Sequence, residues 1–184
     1  MFPSFHKLSL HKLSPYKFKV ISFALLSLSF IWAIDVAAED ISSLPKVTII
    51  QGLDLAADGE QANKKNIPIL MFFSMKHCPF CFEVEEDYLK PMLRNAEYDN
   101  KVIIRKIKID SVGDMRDFKG NVRDIEEFGD VYNVSMVPTL VLVDAQGNRL
   151  SPSIIGIANK HYYSSELDTA IDASTQKMRA IAKR

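Results

Sequence analysis

The distribution of apolar and polar residues along the chain predicts a sheet built around two buried strands. Two continuous apolar runs, 67–73 (IPILMFF) and 137–143 (VPTLVLV), have the length and composition of strands that are covered on both faces. A third strand is predicted at 101–109 (KVIIRKIKI), where apolar and basic residues alternate in the second half. A weaker strand pattern lies at 46–50, ahead of these elements.

Helices are predicted on either side of these strands. Apolar residues at helical spacing indicate helices at 53–66, 82–93, 124–131 and 160–183. Pro91 is expected to end or kink the second of them near Leu89. A turn at 144–148 leads into a paired strand at 149–155. The order predicts an α/β fold with a mixed central sheet flanked by helices and a terminal β-hairpin followed by a helix.

The amino-terminal region has the pattern of a secretory signal peptide. Four lysines precede an apolar run at 20–34, the small residues Val36-Ala37-Ala38 follow it, and Glu39 and Asp40 come next. An uncleaved membrane anchor is the alternative, but 15 helical residues span roughly 22 Å, short of the ~30 Å hydrocarbon core. We expect a signal peptide at 1–38, a short lead-in at 39–52 and one globular domain at 53–184.

Charge and composition exclude some classes of partner. The 184 residues carry 23 basic and 23 acidic side chains, and 19 basic and 22 acidic ones lie within 39–184. That region contains no block of basic residues, so the sequence does not indicate a nucleic acid or an anionic membrane surface as a partner.

Both cysteines of the chain, Cys78 and Cys81, lie in the stretch HCPFC. A structural disulfide is one interpretation, but so short a loop constrains little of the unfolded chain. Half of a zinc site is another, but structural zinc needs four ligands. Beyond the signal peptide, His77 and His161 are the available histidines, and adjacent His77 and Cys78 are poorly placed to share one tetrahedral metal. We therefore expect no metal.

The position of the two cysteines favours thiol chemistry. Cys78 follows a buried strand and begins a helix, where unpaired N–H groups and the helix dipole stabilise a thiolate. Cys81 lies about one turn later and can reach back to Cys78. The pair is therefore suited to disulfide exchange through a mixed disulfide, with Cys78 as nucleophile and Cys81 as resolving thiol.

From about Leu53 onward the chain resembles thioredoxin-fold proteins. The resemblance is carried by the motif 77–81 (HCPFC) and by 136–139 (MVPT) at the start of a buried strand. It implies a cis peptide bond before Pro138, which faces the dithiol, and a substrate-binding backbone at Val137. It also implies that the redox-active disulfide is the sole cofactor. The flanking residues His77, Pro79 and Phe80 would modulate the thiol or substrate contact; for His77, an exposed position without a role is the alternative.

A closer likeness is to exported bacterial thioredoxin-like proteins found near sulfur-oxidation and cytochrome-maturation systems. It implies a periplasmic location, protein thiol or disulfide substrates, and a membrane or periplasmic redox partner. It favours a reductase. Pro79 and Phe80 favour the alternative of a Dsb-like oxidase, and a non-catalytic binding module is a further alternative. Residues 39–52 are too few for the dimerisation domain of dimeric disulfide isomerases, so we expect a monomer.

The sequence also departs from the thioredoxin pattern. Ordinary thioredoxins carry a buried aspartate six positions before the first cysteine, and that position here is Phe72. Glu85, four residues after Cys81 on the same helix face, is a candidate to replace it, although an exposed helix carboxylate is the simpler expectation.

Two polar segments have no functional role in this interpretation. We expect Arg105, Lys106 and Lys108 to form the solvated side of a strand near the sheet edge. The stretch 111–123 is expected to be surface rather than a specificity loop over the active site.

Overall fold

The computed structural model describes residues 45–181. The predicted signal peptide at 1–38 and the first part of the lead-in lie outside these residues. Within them, no helix combines the length and apolar character needed to cross a membrane. In chain order the elements are α1 (Leu55–Lys65), β1 (Ile69–Ser74), α2 (Pro79–Glu83), a π-helical segment (Val84–Leu89), α3 (Lys90–Arg94), a 3₁₀ turn (Ala96–Asn100), β2 (Ile103–Lys108), β3 (Asp114–Arg116), β4 (Val122–Asp124), α4 (Ile125–Val131), β5 (Thr139–Val143), β6 (Ile154–Ile155) and α5 (Tyr163–Ile181).

The central sheet has the strand order β2-β1-β5-β6. β1 pairs in parallel with β2, and it pairs antiparallel with β5, which in turn pairs antiparallel with β6. The register places Phe73 of β1 opposite Thr139 of β5, so the end of β1 and the start of β5 meet at one edge of the sheet. The predicted α/β fold with a mixed sheet, a terminal hairpin and a closing helix is confirmed.

All six residues of β1 are buried because both faces of the sheet are covered. Successive strand residues point to opposite faces. Leu70 and Phe72 therefore join one apolar cluster, with side chains of α5 and of the helix that carries Cys81. Met71 and Phe73 join the other cluster, with side chains of α1 and α4. The dithiol helix thus rests on one face of the central strand.

The helix does not end near Leu89, since it continues to Arg94, but its regular α-helical geometry is interrupted there, where a π-helical segment meets α3. The π-helical segment lies directly before Pro91, and the Lys90 N–H donates to the Glu85 carbonyl, five residues back. Pro91 has no N–H group to donate. The wider π-helical turn before it lets the helix continue through this residue.

Two of the predicted strands are shorter than expected. The strand at 149–155 reduces to Ile154–Ile155 and an isolated bridge between Val143 and Arg149, with Pro152 between them as a residue that cannot donate. The strand at 46–50 reduces to backbone bonds along the outer edge of β2, where the Lys106 N–H donates to the Ile50 carbonyl at 2.9 Å.

The segment 111–123 overlaps a hairpin, β3–β4, which the sequence pattern did not indicate. The side chain of Phe118 at its tip packs on Gly147, where a Cβ would lie 2.5 Å from the ring. Gly147 follows β5 and therefore lies at the sheet edge opposite to the end of β1. The hairpin tip is thus a surface feature away from the cysteines, in line with the expectation.

Asp117 holds the turn of this hairpin together. Its carboxylate accepts hydrogen bonds from the backbone N–H groups of Lys119 and Asn121, each at 2.9 Å, and from Arg123 Nε at 2.7 Å. Burial alone would raise the pKa of Asp117, but the bonds from Arg123, Asn121 and Lys119 outweigh it and lower the pKa to about 2, below its ordinary value of 3.8.

We expect Asp117→Asn to lower the free energy of unfolding by about 1 kcal/mol at neutral pH. Because the folded-state pKa is depressed, the carboxylate contributes its stability above pH 4 and loses it as the pH falls towards 2. Denaturant unfolding of both proteins between pH 2 and 7 measures this difference. Asp114→Asn, which changes an exposed residue of β3, is the control. A difference that does not change with pH would contradict the assignment.

Candidate active site

Cys78 and Cys81 form a disulfide at the start of the helix that follows β1, with their Cα atoms 5.2 Å apart. Cys78 is the N-cap residue of α2, and its Sγ accepts a hydrogen bond from the Cys81 N–H at 3.1 Å. Cys78 is half-buried, whereas Cys81 is 2% exposed. An accessible sulfur that accepts a hydrogen bond from an N–H group of the first helical turn is suited to attack, and the covered sulfur is suited to resolution.

The residues that flank the cysteines point outward. Pro79 occupies the first turn of α2, where its missing N–H costs nothing, and its neighbour Phe80 is 59% exposed. His77 is exposed and has a φ of 58°, in the left-handed region that few non-glycine residues adopt. The chain therefore turns sharply before Cys78.

The carboxylate of Asp110 holds this turn. Asp110 follows β2, and its Oδ2 accepts a hydrogen bond from the Lys76 N–H at 2.6 Å. This contact ties the loop before Cys78 to the neighbouring strand. The sequence analysis missed Asp110; the available signal was an acidic residue directly after a strand that ends at the same edge as β1.

Val137 and Pro138 lie at the start of β5, at the sheet edge where β1 ends. The Val137–Pro138 peptide bond is cis. The Pro138 carbonyl accepts a hydrogen bond from the Gly156 N–H at 2.8 Å, which joins this segment to β6. Val137 is half-buried and packs against the same apolar cluster as Cys78, so the structure brings the two predicted motifs to one end of the sheet.

An open cavity of about 540 Å³ lies beside Cys78. It is lined by Ser74, Met75, Lys76, His77, Cys78, Pro79, Phe82, Glu85, Lys106 and Lys108. Phe82 begins the helix predicted at 82–93 from the spacing of its apolar residues, but its side chain is 65% exposed and contributes to this wall instead of the core. In α2 the buried position is Cys81, and Phe82 is rotated by about 100° from it around the helix axis.

Glu85 and Lys106 form an ion pair in the wall of this cavity. Their side chains are 16% and 20% exposed, and a second lysine, Lys90, lies 3.9 Å from the other Glu85 oxygen. The Lys106 ammonium also lies 5.8 Å from the ring centroid of Phe72. The expectations of an exposed Glu85 carboxylate and a solvated Lys106 are therefore wrong, because the two side chains meet between the dithiol helix and β2.

Arg105 is likewise not a solvated strand residue. Its guanidinium forms an ion pair with Asp58 of α1, with a distance of 2.6 Å between Nη2 and Oδ1, and both side chains are nearly buried. This pair lies on the other face of the strand from Lys106, since the two residues are neighbours in β2. Arg105 therefore joins α1 to the sheet and has no contact with the cavity.

The thioredoxin-like domain family matches residues 55–171, which is more than half of the chain. This protein belongs to the thioredoxin-like family. The matched range starts with α1, includes both cysteines and Pro138, and ends within α5.

This thioredoxin-like protein is similar to several solved structures. The germline-specific thioredoxin Deadhead of Drosophila melanogaster is 22% identical, with 67% of this chain and 98% of that chain covered and a TM-score of 0.46. A Fasciola hepatica thioredoxin is 19% identical, with coverages of 67% and 97% and a TM-score of 0.46. A DsbH oxidoreductase is 16% identical, with coverages of 74% and 96% and a TM-score of 0.51. No curated protein sequence matches the chain.

Among residues 45–181 of this thioredoxin-like protein, no three potential metal-binding side chains of the His, Cys, Asp or Glu type cluster together. The lining of the cavity beside Cys78 contains one ion pair, Glu85 with Lys106, together with Lys76, Lys108 and His77. The arrangement can stabilise a thiolate and can hold a proton close to the dithiol.

Proposed function

We propose that this protein is an exported thiol–disulfide oxidoreductase that acts on the cysteines of other proteins. The observation that carries the proposal is the pairing of an accessible Cys78 at a helix N-terminus with a buried Cys81 in one disulfide. Export to the periplasm and a monomeric state are parts of the same proposal. Export rests on the signal-peptide pattern at 1–38.

As a reductase, the reduced protein would act in two exchange steps. The Cys78 thiolate attacks a substrate disulfide, a new bond forms between Cys78 Sγ and one substrate sulfur, and the other substrate sulfur leaves as a thiolate. Cys81 then loses its proton and attacks Cys78 Sγ, which releases the second substrate thiol. The substrate disulfide gains two electrons, and Cys78 and Cys81 are oxidised to their disulfide. A membrane or periplasmic electron donor would restore the dithiol.

The second step requires an acceptor for the Cys81 proton, and Glu85 is suited to that role. Its carboxylate lines the cavity beside Cys78, is largely shielded from water, and is held by Lys106. Phe72 occupies the position where the family resemblance places an aspartate, so that position supplies no carboxylate here. We assign proton transfer during resolution to Glu85, supported by its contact with Lys106.

The direction of net electron flow is proposed from the likeness to sulfur-oxidation-associated proteins, which favours a reductase. The reduction potential of the Cys78–Cys81 pair, equilibrated with glutathione or dithiothreitol, tests this direction. Thioredoxin lies at about −270 mV and a strong periplasmic oxidant at about −120 mV. We expect a value below roughly −230 mV; a value above roughly −160 mV would make the protein a disulfide donor, as Pro79 and Phe80 favour.

Cys81→Ser tests the exchange mechanism itself. Without the resolving thiol, the mixed disulfide between Cys78 and a substrate should persist, because its release step is lost. We expect the reduced variant to accumulate covalent adducts with disulfide-containing proteins, visible on non-reducing gels and removed by dithiothreitol. The Cys78→Ser/Cys81→Ser double variant is the control and should form none. Equal recovery of non-covalent partners by both variants, without adducts, would instead support a binding module.

A further inference from the structure

We propose that the cavity beside Cys78 selects cysteine-containing polypeptides that carry an acidic residue next to the reacting cysteine. This inference rests on the proposed exchange function and adds the chemical class of its substrate. The evidence is the charge of the side chains that line the cavity, their freedom from other ion pairs, and the position of the reactive sulfur among them.

The charges around the cavity are unequal. Three lysines line it, Lys76, Lys106 and Lys108, against a single carboxylate among the described lining residues, Glu85. The ion pair between Glu85 and Lys106 neutralises one charge of each sign. The remaining two ammonium groups belong to Lys76 and Lys108, which form no ion pair with any residue in the described range 45–181. Among the lining residues, a net positive charge is therefore left beside Cys78; the Asp110 carboxylate, which accepts from the Lys76 N–H, is not among them.

The fold keeps these two lysines at the mouth of the cavity. Lys108 is the last residue of β2 and pairs with Ser74, the last residue of β1. Lys76 lies two residues after Ser74, in the turn that is held by the hydrogen bond from the Lys76 N–H to Asp110 Oδ2. Because that bond uses the backbone of Lys76, its ammonium group stays available. The carboxylate of Asp110 is not part of the cavity wall.

This local charge contrasts with the charge of the rest of the domain. Residues 39–184 carry 19 basic and 22 acidic side chains, so attraction of an anion is not a property of the domain as a whole. It is confined to the side of Cys78 where Lys76 and Lys108 lie. An acidic side chain that enters here gains charge complementarity, which selects partners and speeds their association.

The same wall offers apolar contact for the rest of a bound segment. Met75 and Phe82 are 43% and 65% exposed, and both line the cavity. An extended segment can place an acidic side chain near the lysines and an apolar one on these surfaces while its sulfur meets Cys78. The shared chemistry, a carboxylate close to a disulfide, also occurs in glutathione disulfide. Glutathione disulfide has no large apolar side chain and would contact the lysines alone, so we assign the site to polypeptides.

The test uses the reduced domain and three disulfide-linked peptides that differ in one residue beside the cysteine: aspartate, asparagine or lysine. The second-order rate constant of the first exchange step is measured by quenching and mass spectrometry. We expect the aspartate peptide to react about threefold to fivefold faster than the asparagine peptide, and the lysine peptide more slowly by a similar factor. The preference for the aspartate peptide should shrink between 10 mM and 500 mM salt, because salt screens the attraction between the lysines and the peptide carboxylate.

Charge-reversal variants identify the residues responsible. Lys76→Glu and Lys108→Glu should each remove most of the difference between the aspartate and lysine peptides, with both rates taken relative to the asparagine peptide, because each variant leaves one positive and one negative charge beside Cys78. Lys64→Glu is the matched control; Lys64 lies on α1, whose end leads into the start of β1 at the opposite edge of the sheet, and it should leave the order unchanged. If a variant proves unstable, the salt dependence of the unmodified protein still decides.

The outcomes separate this proposal from the one on which it rests. No reaction with any of the three peptides would refute the exchange function. Equal rates for all three would leave exchange standing and overturn the acidic selectivity. Glutathione disulfide forms a fourth arm of the experiment. If it reacts faster than the aspartate peptide and loses that advantage in Lys76→Glu, the site serves a small anionic thiol and the assignment to polypeptides is wrong.

Discussion

Cys78→Ser is expected to reduce disulfide exchange to the uncatalysed rate. The hydroxyl cannot form a mixed disulfide, and Cys81 cannot replace the missing nucleophile because it is 2% exposed. Reduction of a protein disulfide by the domain, supplied with dithiothreitol as electron donor, measures the loss. Alkylation of the reduced protein should label one fast-reacting thiol, and this thiol should be absent from Cys78→Ser.

The comparison between the two single cysteine variants provides the control. Cys81→Ser should retain the first exchange step and lose only the release step, whereas Cys78→Ser should lose both. Cys78→Ser should unfold at nearly the same denaturant concentration as the reduced protein, since both lack the disulfide and Cys78 is only half-buried. Substantial exchange by Cys78→Ser would contradict the assignment of the nucleophile.

Glu85→Gln is expected to slow the release of substrate from the Cys78 mixed disulfide by about a hundredfold near neutral pH, the lower part of the range for proton transfer by a positioned group. Glutamine keeps the size of the side chain but cannot accept the Cys81 proton. The defect should shrink as the pH rises toward the ordinary thiol range of about 8.5, because the Cys81 thiolate then forms without help. Single-turnover release measured from pH 5 to 9 shows this profile.

Glu86→Gln is the matched control for this experiment. Glu86 is the next residue on the same helical segment and also forms an ion pair with Lys90, but it is not part of the cavity wall. It should leave the pH profile unchanged. Lys106→Met, which removes the partner of Glu85, should alter the profile as well. A uniform loss of rate at every pH in Glu85→Gln would indicate a structural role, and an unchanged rate would exclude proton transfer.

The elements closest to the cysteines could be predicted from the sequence because their signals are local. The run 67–73 predicts β1, and the run 137–143 predicts β5, since continuous apolar segments of strand length are covered on both faces in this class of fold. The hairpin β3–β4 could not be predicted in the same way. Each strand has three residues, and no residue of β4 is buried, so no apolar pattern marks it.

The sequence by itself determined the strand–turn–helix that carries the two cysteines, because short-range spacing places Cys81 one turn after Cys78. It also determined which runs form the centre of the sheet. Only the tertiary structure decided that Glu85 meets Lys106, 21 residues away, and that Phe82 faces solvent beside Lys76. Spacing along the chain orders neighbours on one helix or strand, whereas contacts between elements depend on how the dithiol helix packs across β1 and β2.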